Sequence, residues 1–356
     1  MKLLYPLPIK NDFVFTSTSR DFIVEEIPLY PFSGKGEHLV LKVRKKELTT
    51  WDMIAIIAKY LGINRQDIGY AGLKDKHAMT LQYISIPAKF ESQINNFLHD
   101  SIKILEISKH ANKIKIGHLK GNRFEMRLKK VLGVQKEKLD SGLNWIEKNG
   151  LPNYFGVQRF GTEGNNWEDG KKIIAKKLKI GDKKLREFLV GSYQSYLFNQ
   201  WLSKRIEISL LLSQYTQQEC EAIMQLPFDT LKGTKKQSQF FKILHGDVMM
   251  HYPHGRLFEA EDILQESQRF NARDISPTGL LAGIKTTYAN SGARVIEEEF
   301  KENIPLQGSR RYGWIWATDI TKKYIPEKAH YELGFVLPKG CYATNVLDLL
   351  RGGRQN

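Results

Sequence analysis

The sequence predicts an α+β protein that begins with strands, becomes helical beyond residue 150 and returns to strands near its end. Apolar and polar residues alternate in short runs between 20 and 130, as they do in half-buried strands. From residue 169 onward, apolar residues recur every three or four positions between lysine-rich faces, which is typical of amphipathic helices. Alternation resumes at 331–337, so we expect the last forty residues to rejoin the first sheet.

The first part of the chain contains most of the predicted strands. They cover residues 22–27, 39–44, two runs within 68–86, 102–107 and 113–116. One helix interrupts them: Thr49 or Thr50 caps its start, Asp52 suits the positive end of the helix dipole, and Gly62 ends it. Strands with a helix packed on one face indicate an α+β sheet domain.

The middle of the chain is predicted to form a second domain. Helices are expected at 169–180 and 185–206, separated by Gly181. A less regular region follows at 213–305, with turn signals that include SPTG at 276–279. The chain then returns to a strand at 331–337, a turn at 338–340 and a helix at 341–349.

Composition favours a polyanionic partner. Fifty-four Lys and Arg against thirty-nine Asp and Glu give a net charge of +15 and a pI near 9.5, so nucleic acid is the leading candidate and a merely soluble basic protein the alternative. No apolar stretch approaches the length of a membrane span. Cys220 and Cys341 lie far apart, which indicates a reducing cytoplasm without a disulfide framework.

The most informative segment is 68–86, IGYAGLKDKHAMTLQYISI, whose two strand-like runs flank a polar loop centred on Asp75. A carboxylate on a loop held by strands is well placed for chemistry. The neighbouring Lys74 and Lys76 favour its ionised form, which makes it available as a nucleophile or a base. On local pattern alone the alternative is an ordinary turn aspartate with lysines on a solvated face.

A second candidate segment is GHLKGNRF at 117–124. Its glycines, Gly117 and Gly121, allow close backbone approach, and Asn122 and Phe124 share one face of the strand that follows. An amide beside an aromatic ring is suited to hydrogen-bonding a base edge and stacking its ring. The alternative is a turn Asn followed by a core Phe.

Basic residues crowd the same region and suggest a surface that follows phosphates, although a solvated charge run has the same composition. They are Lys109, His110, Lys113, Lys115, His118, Lys120, Arg123, Arg127, Lys129 and Lys130. A weaker hypothesis is a metal site at His245, Asp247, His251 and His254, whose intervening sequence is turn-like. The chain lacks GxxxxGK[ST], GxGxxG, GxSxG and HExxH, which disfavours ATPases, dinucleotide enzymes, common hydrolases and zinc proteases.

Several segments, in order along nearly the whole chain, resemble the TruD family of tRNA pseudouridine synthases. The matching segments are DFIVEE at 21–26, AGLKDKHAMT at 71–80, HLKGNRF at 118–124, PNYFGVQRFG at 152–161, QSYLFNQ at 194–200 and LPKGCYAT at 337–344. Ordered, widely spaced matches are far more specific than one short motif. The resemblance implies that Asp75 is the catalytic nucleophile and that Phe22, Asn122, Phe124 and Tyr342 contact the substrate.

Two positions depart from the family pattern. Tyr342 stands where some members have Phe, and this change keeps a ring for stacking. Asn345 occupies a position expected to be apolar. The basic partner of Asp75 stays open among Lys74, Lys76 and other basic side chains.

The resemblance also implies a domain organisation. A discontinuous pseudouridine-synthase catalytic domain, with a mixed, mainly antiparallel sheet flanked by helices, is expected at 1–150 and 316–356. An inserted α/β TruD-specific domain is expected at 151–315.

The implied function is that of a tRNA pseudouridine(13) synthase, an isomerase of the intramolecular transferase type that converts uridine 13 of tRNA without cofactor or metal. We expect a cytoplasmic monomer that binds tRNA and no membrane. One alternative is a non-catalytic tRNA- or RNA-binding protein with the same fold. Another is a metal-dependent RNA-cleaving enzyme that uses the histidines near His251.

Overall fold

The structure is a computed structural model that describes residues 3–7, 10–161 and 163–353. These residues group into two compact units. The sheet unit comprises residues 12–140 and 317–340, and the helical unit comprises the described parts of 1–11, 141–316 and 341–356. Each unit is therefore built from segments that lie far apart in the sequence.

Strands and helices alternate along the described residues. The strands are β1 (Phe22–Pro28), β2 (His38–Lys45), β3 (Gly69–Tyr70), β4 (Met79–Pro87), β5 (Ile102–His110), β6 (Leu119–Lys129), β7 (Leu151–Pro152), β8 (Val248–His251), β9 (Leu257–Glu259), β10 (Ile275–Leu281), β11 (Ser309–Tyr312), β12 (Trp314–Ile315), β13 (Thr318–Ile325) and β14 (His330–Pro338). The helices are α1 (Thr50–Leu61), α2 (Glu91–Ile94), α3 (Gly133–Asn149), α4 (Asn166–Ile174), α5 (Lys183–Gln214), α6 (Gln217–Ile223), α7 (Ile263–Asn271), α8 (Ser291–Glu298) and α9 (Thr344–Leu350).

The sheet unit is organised around one mixed sheet with the strand order β13-β14-β6-β1-β4-β2-β5, and β3 also pairs with β4. The β1–β4 pair is parallel and the remaining pairs are antiparallel. The prediction of an α+β fold with a mixed, mainly antiparallel sheet flanked by helices is confirmed. Strand β14 comes from the far end of the chain, so the expected return to the first sheet is confirmed as well.

Helix α1 has the predicted caps. The side chain of Thr49 accepts a hydrogen bond from the Asp52 amide, the Asp52 carboxylate accepts one from the Thr49 amide, and Gly62 ends the helix with φ of 67°. Met53, Ile54 and the other apolar residues of α1 pack against the β2 residues Leu39, Leu41 and Val43. Helix α1 and strand β2 therefore share one hydrophobic core.

Strand β6 lies between β1 and β14, and this position explains its glycine. Phe124 is paired with Val24 on one side and with Phe335 on the other. A Cβ at Gly121 would lie 2.3 Å from the main-chain oxygen of Leu337. The predicted close backbone approach at Gly121 is confirmed, because only a residue without Cβ fits there.

The helical unit contains a second antiparallel sheet, with the strand order β11-β10-β8-β9, and a short β7–β12 pair. Helix α5 packs its apolar side chains against β10, where a Cβ at Gly279 would lie 2.4 Å from the Trp201 ring. Arg205 of α5 forms a buried bidentate ion pair with Asp247, at 2.6 and 2.7 Å.

Three local predictions are wrong. Residues 113–116 form no strand, and their backbone is held by bonds such as the one from the Ile114 amide to Ser85 Oγ, at 2.9 Å. SPTG at 276–279 lies inside the buried strand β10 and not in a turn, because Trp201 packs on its glycine. The first predicted helix beyond residue 150 ends at Ile174 rather than at 180, since Lys176 adopts φ of 58°.

The two compact units are defined by contacts within the chain, so they do not test the predicted functional domains. Residues 341–353 group with the helical unit by contact. The domain prediction, 1–150 with 316–356 and 151–315, stays a prediction, and its outermost residues 1–2 and 354–356 lie outside the described residues.

Candidate active site

Asp75 lies on the predicted loop, between β3 and β4 of the sheet unit. Its side chain is exposed, whereas Ala71 and Ala78 at the two ends of the loop are buried. The Gly117 amide donates to the Ala71 carbonyl at 2.8 Å, which fixes the start of the loop to the segment before β6. The strands thus present one carboxylate to solvent from an anchored loop.

Lys45 is the residue near Asp75 that sequence reasoning missed. It ends β2 and is fully buried, and its Nζ donates to the main-chain oxygens of Leu48 and Asp75, at 2.6 and 3.1 Å. Burial lowers the pKa of Lys45 to about 8, and attraction to the Asp75 carboxylate acts in the opposite direction. The sequence does indicate that Lys45 is buried, because Lys45 lies on the same face of the strand as the apolar Leu41 and Val43.

Lys74, the chain neighbour of Asp75, connects the loop to two other strands. Its Nζ lies 2.8 Å from Glu26 Oε2 on β1 and donates to Asn122 Oδ1 on β6, at 2.6 Å. Its amide donates to Thr50 Oγ1 at 2.9 Å. Burial raises the pKa of Glu26, and the Lys74 ammonium acts against that rise. Lys74 therefore neutralises the buried Glu26 carboxylate. Its hydrogen bond to Asn122 places that amide at the loop of Asp75.

Phe22 and Phe124 are brought together on the same face of the sheet as Asn122. Their rings are nearly parallel, with centroids 6.2 Å apart, and Phe335 of β14 lies 5.6 Å from Phe124. Both rings are almost fully buried. Phe22, Phe124 and Phe335 form a packed aromatic cluster, and the strands of Phe22 and Phe124 also carry Glu26 and Asn122.

Tyr342 belongs to the helical unit, where it follows β14 in sequence. Its ring centroid lies 6.3 Å from that of Phe155 and 5.9 Å from the guanidinium carbon of Arg311. Asn345, one turn further on, is buried and donates to the Tyr154 carbonyl at 2.8 Å. This hydrogen bond explains how an amide is accommodated at a position expected to be apolar.

Many of the basic residues near β6 are paired with carboxylates. Arg127 lies 3.2 Å from Glu332, and Lys129 forms an ion pair with Asp21. Arg123 reaches Asp319 at 3.5 Å. The outer face of β6 is therefore a mixed-charge surface rather than an unbroken positive one.

The residues of the metal hypothesis have other partners. Both carboxylate oxygens of Asp247 are bound by Arg205, and one also accepts from the Leu244 amide at 2.8 Å. Within 3–7, 10–161 and 163–353, no group of three or more His, Cys, Asp or Glu side chains is arranged to hold a metal ion. In the same part of the chain, no helix has the length and apolar character needed to cross a membrane.

Comparisons with known proteins agree with this architecture. The sequence model of the family tRNA pseudouridine synthase D (TruD) matches residues 14–181 and 175–349. Two bacterial relatives carry the name tRNA pseudouridine synthase D: that of Wolinella succinogenes is 51% identical over 341 residues and that of Sulfurimonas denitrificans 50% identical over 337, each covering 95% of this chain and 94% of the relative. The chain belongs to the tRNA pseudouridine synthase D family.

A solved structure shows the same fold. The crystal structure of a Methanosarcina mazei protein named for this family superposes with a TM-score of 0.68 at 19% identity, covering 98% of this chain and 95% of that one. The resemblance to the TruD family drawn from the sequence motifs is confirmed.

Proposed function

We propose that this protein converts uridine 13 of tRNA to pseudouridine and that Asp75 is the nucleophile. Family membership supports the reaction class. The observation that carries the residue assignment is the anchoring of the exposed Asp75 loop, by Lys45 on its main-chain oxygen and by Lys74 on Asn122. The loop that presents the Asp75 carboxylate to solvent is thereby fixed to strand β2 and, through Lys74, to the Asn122 amide on the strand that also carries Phe124.

The proposed reaction exchanges one glycosidic bond for another. In one route, an Asp75 oxygen bonds to C1′ as the C1′–N1 bond breaks and uracil leaves as an anion. The base turns, its C5 attacks C1′ and expels the carboxylate, the C5 proton departs and N1 gains a proton. Attack of Asp75 on C6, or its action as a base through a glycal, gives the same net result. No electrons are gained or lost, so no redox partner is needed.

The residues proposed to contact the substrate have different roles. Asn122 hydrogen-bonds the polar edge of the extruded uracil, and Phe124 and Tyr342 contact its ring. Phe22 lines the proposed substrate site and packs against Phe124 in their parallel contact. The target base leaves its stack before reaction, because a stacked base is not accessible to a side chain. We further propose that the protein acts as a cytoplasmic monomer without metal.

The deciding experiment compares Asp75→Asn with the wild type on an unmodified tRNA transcript. We expect Asp75→Asn to form no pseudouridine while its tRNA affinity stays within about twofold. Asp100→Asn, on another exposed turn of the sheet unit, is the matched control and keeps full activity. Conversion by Asp75→Asn at the wild-type rate would remove Asp75 from the role of nucleophile.

Two further measurements separate the alternatives. Position 13 is tested by mapping pseudouridine in the product, and modification elsewhere would contradict the proposed target. A wild-type protein that binds tRNA and converts no uridine would favour the non-catalytic RNA-binding alternative. Full activity in excess EDTA would remove the metal-dependent RNA-cleaving alternative.

A further inference from the structure

Arg159 in the helical unit is held in a fixed orientation by helix α5. It lies in the short 3-10 turn Val157–Phe160 that follows β7, and its main-chain oxygen accepts from Ser192 Oγ at 3.0 Å. Its Nε donates to Ser195 Oγ at 3.0 Å, and the guanidinium carbon lies 5.5 Å from the centroid of the Phe188 ring. A guanidinium stacked and hydrogen-bonded in this way loses little entropy when it binds a ligand.

The terminal nitrogens of Arg159 are available. Within the described residues, neither Nη1 nor Nη2 makes a hydrogen bond and no carboxylate lies within ion-pair distance. Neither atom is among the fully enclosed polar atoms that lack a partner. Gly191 contributes to this access, because a Cβ there would lie 2.4 Å from Nη2 of Arg159. A half-buried cation with a free, solvent-reachable fork is prepared for an anion.

Arg311 is a second guanidinium in the same environment. Its guanidinium carbon lies 4.1 Å from the centroid of the Phe155 ring and 5.9 Å from that of Tyr342, and its Nη2 donates to Asn153 Oδ1 at 2.8 Å. Burial lowers the pKa of Arg311, and repulsion from Arg159 lowers it further. Burial also lowers the pKa of Arg159, and Tyr342 opposes the fall at both arginines. The Arg159 amide donates to the Gly156 carbonyl at 3.0 Å, and a Cβ at Gly156 would lie 3.1 Å from the Tyr342 ring, so the turn of Arg159 and the Arg311 side chain both border Tyr342.

We propose that Arg159 binds one phosphodiester of the RNA strand, beside the Tyr342 ring and within the positive field of Arg311. Arg311 adds a second positive charge to this part of the helical unit, and an anion bound by Arg159 is attracted by both. The planar guanidinium fork matches the tetrahedral oxygens of a phosphate better than a lysine does. The inference rests on the proposed function only in taking RNA as the ligand.

The test measures tRNA binding by Arg159→Met, Arg159→Lys and wild type across a range of salt concentrations. We expect Arg159→Met to bind about tenfold more weakly, as loss of a charged hydrogen bond predicts. We expect the slope of log K against log salt to fall by about 0.7–0.9, the value for one phosphate contact. Arg159→Lys retains the slope because it retains the charge. The control is Arg294→Met, whose charge is already paired with Glu298 at 2.5 Å.

A second arm uses tRNA assembled from synthetic pieces that carries one neutral methylphosphonate linkage. We expect one linkage position at which the wild type loses affinity about tenfold and Arg159→Met loses none. If no position behaves in this way, or if Arg159→Met leaves the salt slope unchanged, Arg159 contacts no phosphate and the inference is wrong. A wild type that binds and shows this coupling but converts no uridine would contradict the proposed function while supporting the phosphate contact of Arg159.

Discussion

Replacing Lys45 with Met tests whether a buried cation positions the catalytic loop. Met has a similar length without a charge, so it fills the space while removing both donated hydrogen bonds. A hydrogen bond from a charged group contributes about 1.5–3 kcal/mol, and each 1.36 kcal/mol corresponds to a factor of ten. If the bond to the Asp75 oxygen holds the loop, the single-turnover rate of pseudouridine formation falls by about ten- to a hundredfold.

Stability should respond differently from activity. The pKa of Lys45 is about 8 in the folded protein and 10.5 in the unfolded chain. Keeping Lys45 charged at neutral pH therefore lowers the free energy of unfolding by about 3 kcal/mol. Between pH 8 and 10.5 the unfolded chain holds a proton that the folded chain has released. The contribution of Lys45 to the free energy of unfolding therefore rises with pH over that window, and this rise is absent from Lys45→Met.

The assay combines single-turnover rates at pH 6.5–9 with urea unfolding over pH 7–10. In the wild type, the rate should decline as Lys45 loses its proton above pH 8, and Lys45→Met should lack that decline. Lys46→Met, at the exposed next position, is the control for loss of one positive charge. A Lys45→Met protein that keeps the wild-type rate and pH profile would refute the positioning role.

Two further substitutions test the supports of the site. Lys74→Met leaves the Glu26 carboxylate buried without its partner and should lower the free energy of unfolding in urea by about 3 kcal/mol. Adding Glu26→Gln should recover most of that loss, and a double variant no more stable than Lys74→Met alone would contradict this. Gly121→Ala should cost about 1–3 kcal/mol because its Cβ would meet the Leu337 oxygen, whereas Gly181→Ala, with open space around it, should leave the thermal midpoint unchanged.

The sequence predicted local features well where neighbouring residues determine them. The caps of α1 depend on Thr49, Asp52 and Gly62, which lie within fourteen positions of one another. The parity of β1 and β14 depends on alternation within each strand. The Asp75 loop was predicted because both of its strands and its polar tip are continuous in sequence.

The supports of the loop were not predicted, because they depend on pairing between distant strands. Lys74 reaches Asn122 across 48 positions, and Lys45 reaches Asp75 across 30. The spacing of apolar residues within one strand or helix does not indicate contacts over such long sequence separations. SPTG was misread for a related reason: Gly279 resembles a turn residue locally, and only the packing of Trp201 shows that it belongs to a strand.

The position of β14 beside β6 has a consequence for synthesis of the protein. Paired residues of these strands, such as Arg127 and Glu332, lie 205 positions apart. At about 5–20 residues per second, the ribosome needs roughly 10–40 s to deliver β14 after β6 has emerged. During this interval the edge of β6 that will pair with β14 has unpaired backbone groups, and exposed strand edges favour association with other chains. We therefore expect the nascent chain to associate with other chains more readily before β14 is synthesised than after β14 has paired with β6.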